Sequence, residues 1–302
     1  MTRDGVQVLR IVHVSDLHLE PEATEQYPGL ASRLERSRAA ILRLEPDFVV
    51  ATGDLTNRGS VSPADFTLAK SWLDRLDVPY LTVPGNHDLG ANRLRGRLHP
   101  MEAYEDVEFA ETGYAQTFGT EPIRSMDLHG LQIVGIALRE DDPDDALGQL
   151  RLWLREAIGP VVVVGHYPVV VPRAWSSDEA FAAMGYVDRS AVALTRVIDD
   201  NPQVIAYLCG HVHLTSLRRI NSRCLQFTAG GLGPGASSFR VYDWDGATWR
   251  YSTVDTEGPR IFWETGIEEA RKDPLFSSGT DAERQGSWTP DVTPTTGTKE
   301  QA

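Results

Sequence analysis

Five short clusters carry the side chains able to do chemistry: Asp16-Leu17-His18, Gly53-Asp54, Gly85-Asn86-His87-Asp88, Gly165-His166 and Gly210-His211-Val212-His213. Each brings a carboxylate, an amide oxygen or an imidazole nitrogen. Such mixed oxygen and nitrogen donors suit Mn, Fe and Zn. A pair of such ions about 3.5–4 Å apart can clamp the attacking and the leaving oxygen of a phosphoryl group. The pattern therefore points to two-metal hydrolysis of a phosphate ester.

The elements that must position these clusters are short apolar runs. Leu9 to Val14, Phe48 to Ala51, Tyr80 to Val83, Val161 to Val164 and Val204 to Leu208 read as buried strands. Every cluster falls just past the carboxyl end of one of them, where layered α/β proteins bind their ligands because strand ends hold side chains rigidly. Gly53, Gly85, Gly165 and Gly210 each stand directly before a candidate ligand or an Asn-His pair, where a sharp turn or close backbone approach is needed. His13 lies inside a strand and reads as a core histidine. His99 and His129 lie outside every cluster and read as structural or exposed.

In order and spacing, the five clusters resemble all five blocks of the calcineurin-like metallophosphoesterase superfamily, over roughly Leu9 to Val254. The resemblance implies that Asp16, His18 and His213 hold one metal, that Asn86, His166 and His211 hold the other, and that Asp54 bridges them. A single carboxylate with two oxygens can bind two cations, and the neutral Asn86 oxygen keeps the site from becoming too anionic. Two divalent or transition-metal ions (Mn, Fe or Zn) are the implied cofactors. A water or hydroxide between them is the implied nucleophile, its pKa lowered towards about 7. His87 has no metal in this scheme and is expected to protonate or stabilise the leaving oxygen, with Asp88 as its orienting partner. Arg58 can reach a substrate phosphate as a guanidinium fork. Protein Ser/Thr phosphatases of the superfamily have Asp where this chain has Asn57 and Glu where it has Asp88, which argues against that branch.

Between the strands, Leu30, Leu34, Ile41 and Leu44 mark an amphipathic helix ending before Pro46, and Asp65 to Leu73 and Leu150 to Ile158 read similarly. After His213 come four short strands, Leu217 to Ile220, Cys224 to Thr228, Phe239 to Trp244 and Thr248 to Val254, with Asp245-Gly246 as a hairpin turn. The expected fold is α+β: two packed mixed β-sheets flanked by helices, the α/β/β/α sandwich that the resemblance also implies. The 302 residues divide into a catalytic domain over 1–262 and a C-terminal extension over 263–302. From about Lys272 the composition turns to Ser, Thr, Gly, Pro and charge, which predicts a mostly disordered tail with Trp288 as the one residue able to dock.

A formal net charge of −14 disfavours nucleic acid and anionic membranes as partners, since neutralising backbone phosphates takes clustered Lys and Arg. Arg93, Arg95 and Arg97 read as a solvated loop. No apolar leader precedes the first strand and no apolar run approaches membrane-spanning length, and the two cysteines, Cys209 and Cys224, lack metal-pair spacing, so the expected location is cytoplasmic with reduced thiols. The segments Leu89 to Thr117 and Tyr167 to Arg189, with Tyr167, Trp175, Phe181 and Tyr186, are the expected pocket walls, and Tyr167 or Trp175 can stack on a nucleobase. The blocks look most like the bacterial cyclic-nucleotide phosphodiesterase branch, which implies a small phosphodiester, a 3′,5′-cyclic nucleotide, as substrate. A repair-type nuclease, a lipid-sugar pyrophosphate hydrolase and a metal-binding scaffold without catalysis are the alternatives on the same fold.

Overall fold

The structure is a computed structural model that describes residues 2–3, 6–21, 29–89, 107–139, 141–173, 189–234, 237–256 and 274–291. In chain order its principal elements begin β1 (Leu9–Val14), α1 (Leu30–Leu42), β2 (Phe48–Thr52), α2 (Asp65–Asp74), β3 (Tyr80–Val83), α3 (Asn86–Leu89) and α4 (Gly113–Phe118). The second half opens with β4 (Ile123–Leu128), β5 (Leu131–Ile136), α5 (Ala146–Glu156), β6 (Val161–Val164), α6 (Arg189–Asp200), β7 (Val204–Cys209), β8 (Ser216–Arg219) and β9 (Leu225–Thr228). It ends with β10 (Ser238–Trp244), β11 (Trp249–Asp255), α7 (Pro274–Ser278), α8 (Asp281–Arg284) and β12 (Gly286–Trp288).

Twelve of these strands form two six-stranded sheets, ordered β12-β11-β10-β1-β2-β3 and β8-β9-β7-β6-β5-β4. Both are mixed. In the first, β1, β2 and β3 run parallel and the remaining pairs are antiparallel. In the second, β5, β6, β7 and β9 are parallel and the two edges antiparallel. The strand period of two explains the layering. Ile11, Phe48 and Val50 of one sheet face Val162, Val164 and Phe227 of the other in a shared core, while their neighbours Val12, Val49 and Ala51 turn outward onto Leu34, Ile41, Phe66 and Trp72 of α1 and α2. On the far side, Val161 and Val163 meet Leu150 and Leu154 of α5 and Leu194, Val197 and Ile198 of α6. Each of these wholly buried aliphatic side chains is worth about 1.5–3 kcal/mol. Strands buried on both faces cannot alternate polar with apolar, which is why they read as continuous apolar runs. The α/β/β/α sandwich is therefore as expected, and among the described residues no helix is long and apolar enough to cross a membrane.

The tail expectation is corrected over 274–288. There α7, α8 and β12 fold onto the body, with Trp288 paired to Trp249 at the edge of the first sheet. The anchors are polar, which is why composition hid them. Thr280 and Glu283 form a capping box. The Glu283 carboxylate accepts from Arg173 Nη1 at 2.6 Å and Arg218 Nη1 at 3.0 Å. The fully buried Arg240 donates to the carbonyl oxygens of Glu283, Thr228 and Ser216. Residues 257–273 and 292–302 lie outside the described residues. Stopping the chain after Lys272 leaves Arg240 short of an acceptor and Arg173 without its carboxylate. Breaking such buried charge pairing costs about 3–5 kcal/mol, and at about 2–4 °C per kcal/mol the truncated protein is expected to melt roughly 10 °C lower. A thermal melt that matches the full chain would show these anchors to be idle.

Candidate metal centre

The parallel strands of both sheets deliver their carboxyl ends to one place. Asp16 and His18 follow β1, Asp54 follows β2, and Asn86 and His87 open α3 just after β3. From the second sheet, His166 follows β6, and His211 and His213 follow β7. All seven candidate ligands are buried, none more than 4% exposed. The loops are tied to one another by main chain: Asp16 N donates to Gly53 O at 3.0 Å, His18 N to Asp54 O at 2.9 Å, and Gly210 N to His166 O at 3.0 Å.

Two donor sets result. Asp16, His18, Asp54 and His213 offer ligand atoms that all lie within 4.8 Å of one another, and so do Asp54, His166 and His211. Asp54 belongs to both; its Oδ2 lies 3.8 Å from His18 Nε2 and 3.4 Å from His166 Nε2. Asn86 joins the second set, its Oδ1 3.2 Å from His166 Nε2. Ring nitrogens also face each other, His18 Nε2 with His213 Nε2 at 3.2 Å and His166 Nε2 with His211 Nδ1 at 3.1 Å. Ring nitrogens and carboxylate oxygens turned together in a buried site fit shared cations. Neutral imidazole, carboxylate and amide oxygen are also the donors that Mn, Fe and Zn accept.

Electrostatics sets the two histidines His166 and His18 apart. Burial opposes charge on Asp54, yet His166 and His87 overrule it and hold the carboxyl well below its usual range. Burial works against a charged His166 too, but the Asp54 carboxylate dominates and pushes it up to about 9. His18 goes the other way, since burial and the neighbouring His87 push it well below its ordinary value, towards the neutral form that ligates.

Backbone strain marks the same residues. Asp16, His18, Asp54, His211 and His213 all have positive φ, between 49° and 70°. Such left-handed conformations cost of order 1–3 kcal/mol each outside glycine and persist only where the surroundings impose them. Two glycines serve close approach, as their positions before the ligands suggest. A Cβ on Gly85 would run into the Asp54 carboxylate, and one on Gly210 into the Ser15 hydroxyl and the Asp16 carboxylate.

Ring orientation comes from partners outside the donor sets. His166 Nδ1 meets the Thr52 carbonyl at 2.7 Å, which leaves Nε2 for the site. Behind it His13, wholly buried, sits between Tyr242 Oη at 3.0 Å and Thr52 Oγ1 at 2.9 Å, the core histidine expected. His87 is half-buried, packed edge-on to the His18 ring at 4.5 Å, with Nδ1 2.8 Å from the Asn57 carbonyl. Here the expectation about Asp88 is corrected. Its carboxylate accepts from Gly85 N, Leu55 N, Thr56 N and Thr56 Oγ1, so it staples the second and third ligand loops rather than holding the His87 ring. Burial and the nearby Asp54 charge push it up to about 6. Tyr167 is half-buried beside the centre, its ring edge-on to His166 at 5.0 Å and His211 at 4.7 Å. Arg58 is exposed on the loop that carries Asp54, and His129 is exposed at a turn. His99, Arg93, Arg95, Arg97, Trp175, Phe181 and Tyr186 lie outside the described residues.

A model of the calcineurin-like phosphoesterase family matches residues 9–214. The chain belongs to that family. It is a metal-dependent phosphoric ester hydrolase by membership, and both donor sets lie within the matched residues. It is 27% identical over 269 residues to a probable cyclic nucleotide phosphodiesterase of Synechococcus sp., covering 82% of this chain and 94% of that one. It is 25% identical to a probable glycerophosphodiester phosphodiesterase, GpdQ, of Arcobacter nitrofigilis, over 68% of this chain and 72% of the relative. Among solved structures, the purple acid phosphatase PPD1 of yellow lupin superposes with a TM-score of 0.63 at 15% identity, over 85% of this chain and 53% of the phosphatase. That likeness concerns the fold.

Proposed function

We propose that this protein hydrolyses a small phosphodiester, a 3′,5′-cyclic nucleotide, at a dinuclear centre of Mn, Fe or Zn. The observation that carries the reading is Asp54, one carboxylate common to two donor sets. Asp16, His18 and His213 hold one ion and Asn86, His166 and His211 the other, with Asp54 between them. When bound, the ions supply Lewis acidity and an activated water. The chain supplies the rest. The Asn57 carbonyl accepts the His87 Nδ1 proton and so leaves Nε2 to face the substrate. A proton on Nε2 goes to the departing ribose oxygen. Arg58, exposed on the Asp54 loop, pairs with the phosphate, and Tyr167, against the His166 and His211 rings, stacks on the base.

The substrate class is supported by the relatives, one named for cyclic nucleotides and one for glycerophosphodiesters. It is also supported by charge: at −14 the chain offers a poor surface for long polyanions, whose binding takes many Lys and Arg contacts. Cys209 and Cys224, both buried free thiols, suit a cytoplasmic protein. The test is catalytic efficiency on cyclic AMP, cyclic GMP, a short single-stranded DNA and a phosphopeptide under identical Mn²⁺. A cyclic nucleotide is expected to lead by more than about tenfold, some 1.4 kcal/mol of transition-state binding. DNA or phosphopeptide leading by that margin would overturn the substrate while leaving the metal chemistry standing.

A further inference from the structure

One residue of the Asp54 loop touches two histidines, His18 of the first donor set and His87 beside it. Asn57 Oδ1 lies 3.3 Å from His18 Nδ1, and the Asn57 carbonyl lies 2.8 Å from His87 Nδ1. Its Nδ2 donates to Glu20 Oε2 at 3.0 Å. Glu20, Asn57 and His18 are buried, at 9%, 4% and 0% exposure. The two loops that carry them are registered by main chain. Leu19 and Thr56 form a parallel bridge, Leu19 N donates to Leu55 O at 3.0 Å, and Asn57 N donates to Leu19 O at 2.9 Å.

Hydrogen-bond polarity runs one way along this row. A carboxylate only accepts, so the atom of Asn57 that faces Glu20 must be the NH₂ group. That fixes the amide flip, which is otherwise ambiguous, and turns the amide oxygen toward His18. The oxygen accepts, so His18 carries its hydrogen on Nδ1 and its lone pair on Nε2. Nε2 is the atom that faces Asp54 and His213. An acid at position 57 would set two carboxylates against each other across about 3 Å, with repulsion in place of a hydrogen bond.

We propose that Glu20 and Asn57 form a positioning relay that sets the tautomer and ring orientation of His18, and so sets metal affinity at the first site. The inference rests on His18 being a ligand there. Asn57 acts in this scheme through the His18 ring. Partners of this kind are worth about 10–100-fold in metal affinity.

The experiment titrates chelated full-length protein with Mn²⁺ alone by calorimetry, with folding checked by circular dichroism and melting. Wild type is expected to bind two ions, and His18→Ala to weaken one of them. Asn57→Leu removes the side-chain relay but keeps the carbonyl that serves His87, and is expected to weaken the same ion by about 10–100-fold while sparing the other. Asn57→Asp is expected to lose affinity through the clash with Glu20. The double variant Glu20→Gln/Asn57→Asp restores donor against acceptor along the row and is expected to return to within about threefold of wild type. A merely structural role for Asn57 gives no such rescue. Unchanged Mn²⁺ affinity in a folded Asn57→Leu, or a double variant no better than Asn57→Asp, overturns the relay. Identical binding by wild type and His18→Ala overturns the ligand role of His18, and the relay with it.

Discussion

Asp54→Ala is expected to abolish dinuclear binding and to cut hydrolysis of any phosphodiester by at least about 10³-fold. The size follows from what the side chain alone connects. Asp54 supplies the one carboxylate common to both donor sets. Lewis-acid stabilisation by bound ions is worth several kcal/mol, and each loss of about 1.4 kcal/mol is tenfold in rate. The loop itself should survive, because its main-chain ties, His18 N to Asp54 O and Asp16 N to Gly53 O, do not use the side chain. Asp54→Asn separates charge from shape: it keeps one neutral oxygen in place, and should retain more metal than alanine but less than wild type. Metal content by elemental analysis and kcat/KM on one generic diester decide it. An alanine variant that keeps two ions and near-normal turnover would remove Asp54 from the centre.

The site was legible because each ligand is announced locally. A β-branched run followed at once by Asp, His or Asn places the polar group at a strand end, and five such runs in one chain leave little freedom about where the ends converge. What convergence alone could not give is the orienting layer. Asn57 stood out in the sequence only as a departure from the protein-phosphatase pattern, while the structure puts it on Glu20, His18 and His87. Asp88 beside His87 in sequence suggested a dyad, yet adjacent residues at the start of a helix point in different directions, and Asp88 turns back to the loops. Positive φ at Asp16, His18, Asp54, His211 and His213 belongs to residue types that adopt that conformation more readily than most, so it marks the ligand loops but says nothing of Asn57 or Asp88.

In the fold, the strands that lead into a ligand cluster were readable, and so were the half-exposed β8 and β11, but the β4–β5 pair was not, although β5 is almost wholly buried. β4, Ile-Arg-Ser-Met-Asp-Leu, shows its middle to solvent and carries no run, so the β4–β5 hairpin at the edge of the second sheet escaped notice. The C-terminal elements escaped for a different reason. Composition measures the ability to build a core, but α7, α8 and β12 add to an existing one, held by Arg240, Arg173 and a three-residue ladder. A short segment with few apolar residues needs only acceptors in the right places.

His87→Ala is expected to separate chemistry from metal binding. Both ions should remain, since His87 lies outside both donor sets. Turnover of a cyclic nucleotide should fall by about 10²–10⁴-fold, the usual contribution of a general acid. The ribose oxygen leaves as a basic alkoxide and needs a proton as its bond to phosphorus breaks. A nitrophenolate carries its own charge, so with a bis-nitrophenyl diester the loss should shrink to about tenfold or less. The proposed acid role asks for a ring that carries a proton on each nitrogen. The carbonyl of Asn57 sits on His87 Nδ1 at 2.8 Å and stabilises the doubly protonated ring, the only form with a second proton to give. If His87 instead only places the phosphate, removing it must slow both substrates alike. The ratio of the two losses, measured with metal content held at two per chain, discriminates between the roles.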